Sequence, residues 1–275
     1  MVILIQCRDR VGLVATITHT LANAALNIIE MREHVDTTDN RFFIRIEVEE
    51  GGDYSQLASS LRSLLPEGAA IKVDPPPEKK IIVLVTKDYH CLSDLLIRNY
   101  FKTLGASVQC VIGNHNNLKD ICLRFGVPFH FVSHQNKEKE LFESSLQNII
   151  DQYQVDYLVL AKFMRILSAG FVERFALQLI NIHHSFLPAF VGASPYKQAY
   201  ERGVKLIGAT AHFVTNQLDE GPIIAQQIIP VTHSFSAADM VKSGKEIETA
   251  VLAKALQLVF EDRVFVYQNK TIVFE

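Results

Sequence analysis

Asn181-Ile182-His183-His184-Ser185-Phe186-Leu187-Pro188 follows the apolar run Phe175-Ala176-Leu177-Gln178-Leu179-Ile180. The run reads as a strand entering a core, and the chemistry changes at once after it. An amide, two imidazoles and a hydroxyl stand together, and Pro188 ends regular structure. Open α/β sheets place their working groups at the exits of buried strands. On an extended segment, residues two apart share a face, so Asn181 and His183 point to one place and His184 to another. A polar loop with incidental histidines is the plain alternative. Ser185 lacks the Gly-x-Ser-x-Gly elbow of a hydrolase nucleophile and reads as a cap or turn residue.

Two more polar islands follow apolar runs. One is His212-Phe213-Val214-Thr215-Asn216-Gln217-Leu218-Asp219-Glu220-Gly221-Pro222, after the strand-like Leu206 to Ala211. The other is Lys162-Phe163-Met164-Arg165-Ile166-Leu167, after Tyr157 to Ala161. Taken alone, Asp219-Glu220-Gly221 is a hairpin turn and Phe163 to Leu167 a helix start. His183, His184, His212 and Asp219 match no metal-ligand spacing, and His183 and His184 should diverge on a strand, so no metal is expected.

These islands sit in a strand–helix alternation from Lys80 onward, which predicts a doubly wound, mostly parallel, Rossmann-like α/β sheet over residues 80–275. A long final helix, Ala237 to Phe260, and a hairpin around Gln268-Asn269-Lys270 close it. Residues 1–74 read as βαββαβ, a ferredoxin-like pattern. Pro75-Pro76-Pro77 makes 75–79 a stiff extended linker between the two.

The chain has 275 residues, 48% of them hydrophobic, with a net charge of −3. That balance carries no electrostatic footprint for nucleic acid or anionic lipid. Cys7, Cys91, Cys110 and Cys122 are scattered, which predicts reduced thiols in a cytoplasmic protein. No signal peptide and no apolar run of about 18 residues is present, so no membrane span is expected.

Together, the Asn-Ile-His-His-Ser-Phe-Leu-Pro, His-Phe-Val…Leu-Asp-Glu-Gly-Pro-Ile-Ile and Phe-Met-Arg-Ile-Leu segments resemble the formyltransferase family that uses 10-formyltetrahydrofolate, in the family's order and over about residues 80–260. The first segment is most similar to the deformylase branch. The resemblance implies Asn181, His183 and Asp219 as catalytic groups. It implies a folate site of Phe163, Met164, Arg165, Ile166 and Leu167 with His212, Thr215, Asn216, Gln217 and Leu218. Lys87, His90 and His184 are pocket residues by resemblance and surface residues otherwise. A developing oxyanion on the formyl carbon needs donors, which Asn181 and His183 can supply. Asp219 can serve an imidazole or a water as base.

The acceptor separates branches of the family. Transferases to a phosphorylated acceptor carry a Gly/Ser-rich phosphate loop after the first strand. Here that position reads Thr86-Lys87-Asp88-Tyr89-His90-Cys91-Leu92-Ser93, with no glycine and with an aspartate. Water is the acceptor by elimination, giving tetrahydrofolate and formate, within one-carbon metabolism and as formate for purine synthesis. The alternatives are transfer to an unphosphorylated amine and a folate-binding regulatory protein without turnover. The folate is substrate, and no other cofactor is implied.

Residues 1–74 resemble the ACT domain family through Cys7 to Val14, Asn27-Ile28 and Phe42 to Arg45. That resemblance implies a small effector, such as glycine or methionine, near Asp9, Arg10, Gly12, Leu13, Asn27 and Ile28. It also implies homo-oligomers, dimers or tetramers, through ACT-domain contacts. An oligomerisation module without ligand remains open, as does a purely local turn role for Gly12.

Overall fold

The computed structural model describes residues 1–49, 54, 56–189 and 195–275. The chain divides into two compact units. One is Met1–Pro77 with Glu261–Tyr267 and Ile272–Glu275; the other is Glu78–Phe260 with Gln268–Thr271.

The first unit contains β1 (Val2–Arg8), α1 (Leu13–Asn23), β2 (Ile28–Asp36), β3 (Arg41–Val48), α2 (Leu57–Leu64) and β4 (Ala70–Val73). Its antiparallel sheet has the order β2-β3-β1-β4, the ferredoxin-like arrangement. Alternation sorts its side chains. Ile3, Ile5, Ile44 and Ile46 join Ile17 and Leu21 of α1 and Leu61 of α2 in one core. Leu4 and Phe43 point to the other face, where they are covered by Phe265 and Phe274. The strand–helix pattern of the sequence places those two aromatics with residues 80–275. The structure groups them here because Leu4 and Phe43 are apolar side chains on the sheet face away from the helices and need cover.

The second unit runs β5 (Lys79–Val85), α3 (His90–Tyr100), β6 (Ala106–Gly113), α4 (Lys119–Arg124), β7 (Phe129–Phe131), α5 (Lys139–Ile150), β8 (Tyr157–Leu160), α6 (Ala169–Arg174) and β9 (Leu179–His183). It continues through α7 (Pro195–Glu201), β10 (Leu206–Phe213), β11 (Ile223–Pro230) and α8 (Ala237–Phe260). The short strands β12 (Val264–Tyr267) and β13 (Lys270–Val273) pair at the end of the chain.

The seven-stranded sheet has the order β11-β10-β9-β8-β5-β6-β7. Strands β5 to β9 are parallel, and β10 and β11 are antiparallel additions. From β5 the chain winds outward to β6 and β7, then crosses back to β8 and β9. The crevice between the carboxyl ends of β5 and β8 is thus the topological switch point where such sheets bind ligands. Helices α5 and α6 share a core with β5, β6 and β8 on one face. Helix α8 lies against β9, β10 and β11 and packs with α3 and α7 on the other.

Two local expectations are corrected. The run Phe175 to Ile180 is not one strand: residues 175–178 turn, and β9 begins at Leu179. Helix α6 had not been expected. Phe171, Val172 and Phe175 are buried at helical spacing, and Ser168 caps the helix by accepting from the Phe171 N–H. The Ser168 hydroxyl in turn donates to buried Glu143. Residues 162–168, a helix start when read in isolation, form an irregular loop ahead of that cap.

Candidate active site

The loop after β8 is built by backbone anchoring. Phe163 is buried, and its carbonyl accepts from the Thr86 hydroxyl after β5 and from Asn114 Nδ2 after β6. Lys162 and Met164 on either side sit at φ 62° and 51°, in the left-handed region that costs a side-chain-bearing residue energy. The loop thereby turns out of the sheet at the switch point and leaves Met164 57% and Ile166 66% exposed. Leu218, 54% exposed, lines the same cavity. Apolar side chains displayed on two lips of one cavity make a slot suited to a flat ligand.

The floor comes from β9 and β10. Their antiparallel register sets Asn181 opposite His212 and His183 opposite Thr210. The turn leaving β9 is held by Thr210, which donates to the Ser185 carbonyl and accepts from the Leu187 N–H and from Gln226. Ser185 donates to the Ala189 carbonyl, a turn role. Asp219 arrives on the β10–β11 loop at φ 57°. Gly221 makes that loop possible, since a Cβ there would lie 1.8 Å from the Phe213 carbonyl oxygen.

Asp219 meets two imidazoles. Its Oδ2 lies 3.3 Å from His183 Nδ1, and its Oδ1 lies 3.7 Å from His212 Nε2. Burial pushes the Asp219 carboxyl up, but the two imidazoles outweigh it and hold the group well below the usual carboxylate range. His212 Nδ1 lies 2.9 Å from the Phe213 carbonyl, and its Nε2 lies 3.3 Å from Asn181 Nδ2. One N–H of the Asn181 amide remains. His183 is 6% exposed, and its Nε2 is buried with no protein partner.

One cavity of about 350 Å³ collects these groups. Asn181, His183 and Asp219 line it, as do Phe163 to Leu167, His212, Thr215, Asn216 and Leu218. Gln217 and Lys87 do not line it, and both are exposed. His184 lines it too, as the resemblance implies and strand alternation does not. Strand β9 ends at His183, so alternation ends there, and the two rings stack with centroids 4.9 Å apart. Burial, the Lys162 cation and His183 push the His184 imidazole down to about 4, so it is neutral near pH 7.

His90 lies behind Lys162 rather than in the cavity. Its Nε2 is 2.8 Å from Oε2 of Glu248, a carboxylate only 1% exposed. Lys162 Nζ is 3.1 Å from the same oxygen, and the Tyr196 hydroxyl donates to Oε1 at 2.8 Å. Lys162, Glu248 and Tyr196 are site neighbours that the sequence reading missed. Among the described residues, His90, Cys91 and Glu248 bring ligand atoms within 4.8 Å of one another. They suit a metal poorly, because Glu248 is engaged by three donors and burial raises the Cys91 thiol well above its ordinary value.

The residues expected to bind an effector do not converge within one chain. Asp9, Arg10 and Gly12 form the β1–α1 turn, where Gly12 has φ 88° and nothing near its Cβ position, which makes it a turn residue. Arg10 donates to the Leu64 carbonyl, and Leu13 is buried in the core. Ile28 pairs with Val48, at the end of the sheet where Val2 pairs with Glu47. Asn27 and Ile28 therefore stand about 20 Å from the turn, one strand length away.

The family model described as formyl transferase matches residues 79–256, and that described as ACT domain matches residues 1–66. The formyltetrahydrofolate deformylase of Haemophilus influenzae is 47% identical over 272 residues, covering 99% of this chain and 98% of its own. The chain belongs to the formyltetrahydrofolate deformylase family. The member from Escherichia coli K12 is 48% identical, covering 97% and 95%. A solved deformylase structure from Pseudomonas syringae is similar at TM-score 0.94 and 38% identity, over 100% of this chain and 94% of that one. A glycinamide ribonucleotide transformylase from Symbiobacterium toebii is similar at TM-score 0.69 and 28% identity, over 73% of this chain and 96% of that one. The deformylase family thus matches this chain through both units, and the transformylase through the larger part only. No helix among the described residues is long and apolar enough to cross a membrane.

Proposed function

We propose that this protein hydrolyses 10-formyltetrahydrofolate to tetrahydrofolate and formate in the cleft at the switch point, with Asn181, His183 and Asp219 as the catalytic groups. One observation carries the residue roles: Asp219 holds Nδ1 of His183, a residue that lines the cavity, while its Nε2 is buried and unpartnered. That is the tautomer in which Nε2 can take a proton from water. The apolar lips take the pterin, Arg165 at the mouth meets a carboxylate of the folate tail, and the formyl group lies over Asn181 and His183. Water attacks the formyl carbon as Nε2 takes its proton, and Asp219 stabilises the resulting imidazolium. The free N–H of Asn181 donates to the oxyanion. The imidazolium then gives its proton to N10, the C–N10 bond breaks, and formate leaves.

The ACT unit is read as the regulatory and assembly module. It takes an amino acid such as glycine or methionine between copies of the chain, in a cytoplasmic homo-oligomer that supplies formate for purine synthesis. The separation of Asn27 and Ile28 from the β1–α1 turn supports a site completed by a second copy. Incubating pure protein with 10-formyltetrahydrofolate alone tests the activity. One formate per tetrahydrofolate is expected, and formate no faster than the uncatalysed background would overturn it.

A further inference from the structure

We propose that the buried cluster of Lys162, Glu248, His90 and Tyr196 closes the side of the cleft from which an amine would reach the formyl carbon, and so restricts transfer to water. The proposal rests on the hydrolase reading. The two apolar lips are taken by the folate, and Asn181, His183 and Asp219 form the floor. Lys162 and His184 line a further wall of the cleft, beside Leu160 and Ile182. Lys162 is 7% exposed and Glu248 behind it 1%.

Four elements fix this wall. Lys162 comes from the β8 loop, His90 from the start of α3, Tyr196 from α7 and Glu248 from α8. The Tyr196 ring reaches Glu248 by lying on Gly244, where a Cβ would come within 2.1 Å of it. Stability alone does not account for the cluster. A buried ion pair is commonly no better than apolar packing of the same volume. This one also leaves His90 Nδ1 buried without a partner and holds Lys162 at positive φ.

Selectivity does account for it. An amine acceptor needs room, and a group to take its proton as its nitrogen bonds to carbon and the C–N10 bond breaks. Lys162 and the groups bonded behind it stand on that side, and three donors already occupy the Glu248 carboxylate. The Lys162 cation in the wall also repels an ammonium ion. His90 comes from the segment that stands where transferases to phosphorylated acceptors carry their phosphate loop, so the chain fills acceptor space from that position.

The test is product partitioning in the presence of hydroxylamine as the small amine probe. The wild-type chain should yield formate alone above background. Lys162→Ala/Glu248→Gln removes the charge pair together and opens the wall, so at least a tenth of turnover should appear as formohydroxamate, rising with hydroxylamine. Lys162→Met/Glu248→Gln removes the charges but keeps the volume, and should stay with formate. If the opened double variant does not fold, Lys162→Gly/Glu248→Gln opens the wall at a residue whose positive φ glycine accepts. A folded, active opened variant that makes only formate would overturn the proposal. So would a wild-type chain that makes hydroxamate just as readily. Wild-type formate release in the same assay tests the hydrolase reading separately.

Discussion

Nδ1 of His183 stands 3.3 Å from Oδ2 of Asp219, and the other ring nitrogen is the buried, unpartnered one. A carboxylate that fixes one face of an imidazole decides which nitrogen does chemistry at the other. In the proposed mechanism His183 is a base with a built-in orienting group, Asp219, in the wall of an apolar slot.

Removing the oxyanion donor tests the other half of the floor. Asn181→Ala should lower formate release about 10²–10³-fold, in kcat rather than in folate binding. His183→Ala should be at least as severe. Steady-state rates beside folate titrations check this, and a rate within a few-fold of wild type in either variant would remove the assigned role.

His184 makes stability depend on pH in a defined window. Its folded value, about 4, lies below its ordinary 6.5. Between these two values the unfolded chain binds more protons, so stability falls as pH drops through the window and levels off below about 4. The slope from this group is at most about 1.4 kcal/mol per pH unit. Urea unfolding at pH 7 and pH 5 should show a smaller loss for His184→Gln than for wild type. Equal losses would show that His184 is not held neutral.

The chain's ends make a prediction about truncation. Phe265 and Phe274 cover Phe43 and Leu4. Residues 78–275 produced alone should therefore aggregate more than residues 78–260, and should lose the native oligomer and any response to glycine or methionine. Light scattering and formate assays read both. Equal solubility of the two pieces, with an unchanged oligomer and effector response in the 78–275 piece, would contradict the account.

Much of this was legible because β9 obeys a period of two: Asn181 and His183 lie on one face as the spacing requires. His184 was misplaced because the strand ends one residue before it, and strand ends are not written in alternation. Helix α6 was hidden by its shortness, by the weak helix former Gly170 near its start, and by apolar residues 175–177 that imitate a strand. Glu248 carried a signal that went unread. It is an acid within the apolar stripe Ile247, Val251, Leu252 and Ala255, where only a bound carboxylate is tolerated. Its partner Lys162 gave none, since its burial follows from a left-handed backbone turn. The hairpin's place with the first unit was foreshadowed only by Leu4 and Phe43, apolar residues on the strand face opposite the core.

The most direct test of the central claim is the rate of acceptor-free formate release from Asp219→Asn beside wild type. The substitution keeps the side chain's shape and removes the charge that orients His183. The account predicts a loss of about 10²–10⁴-fold with folate binding retained. A variant that releases formate within a few-fold of the wild-type rate would contradict it.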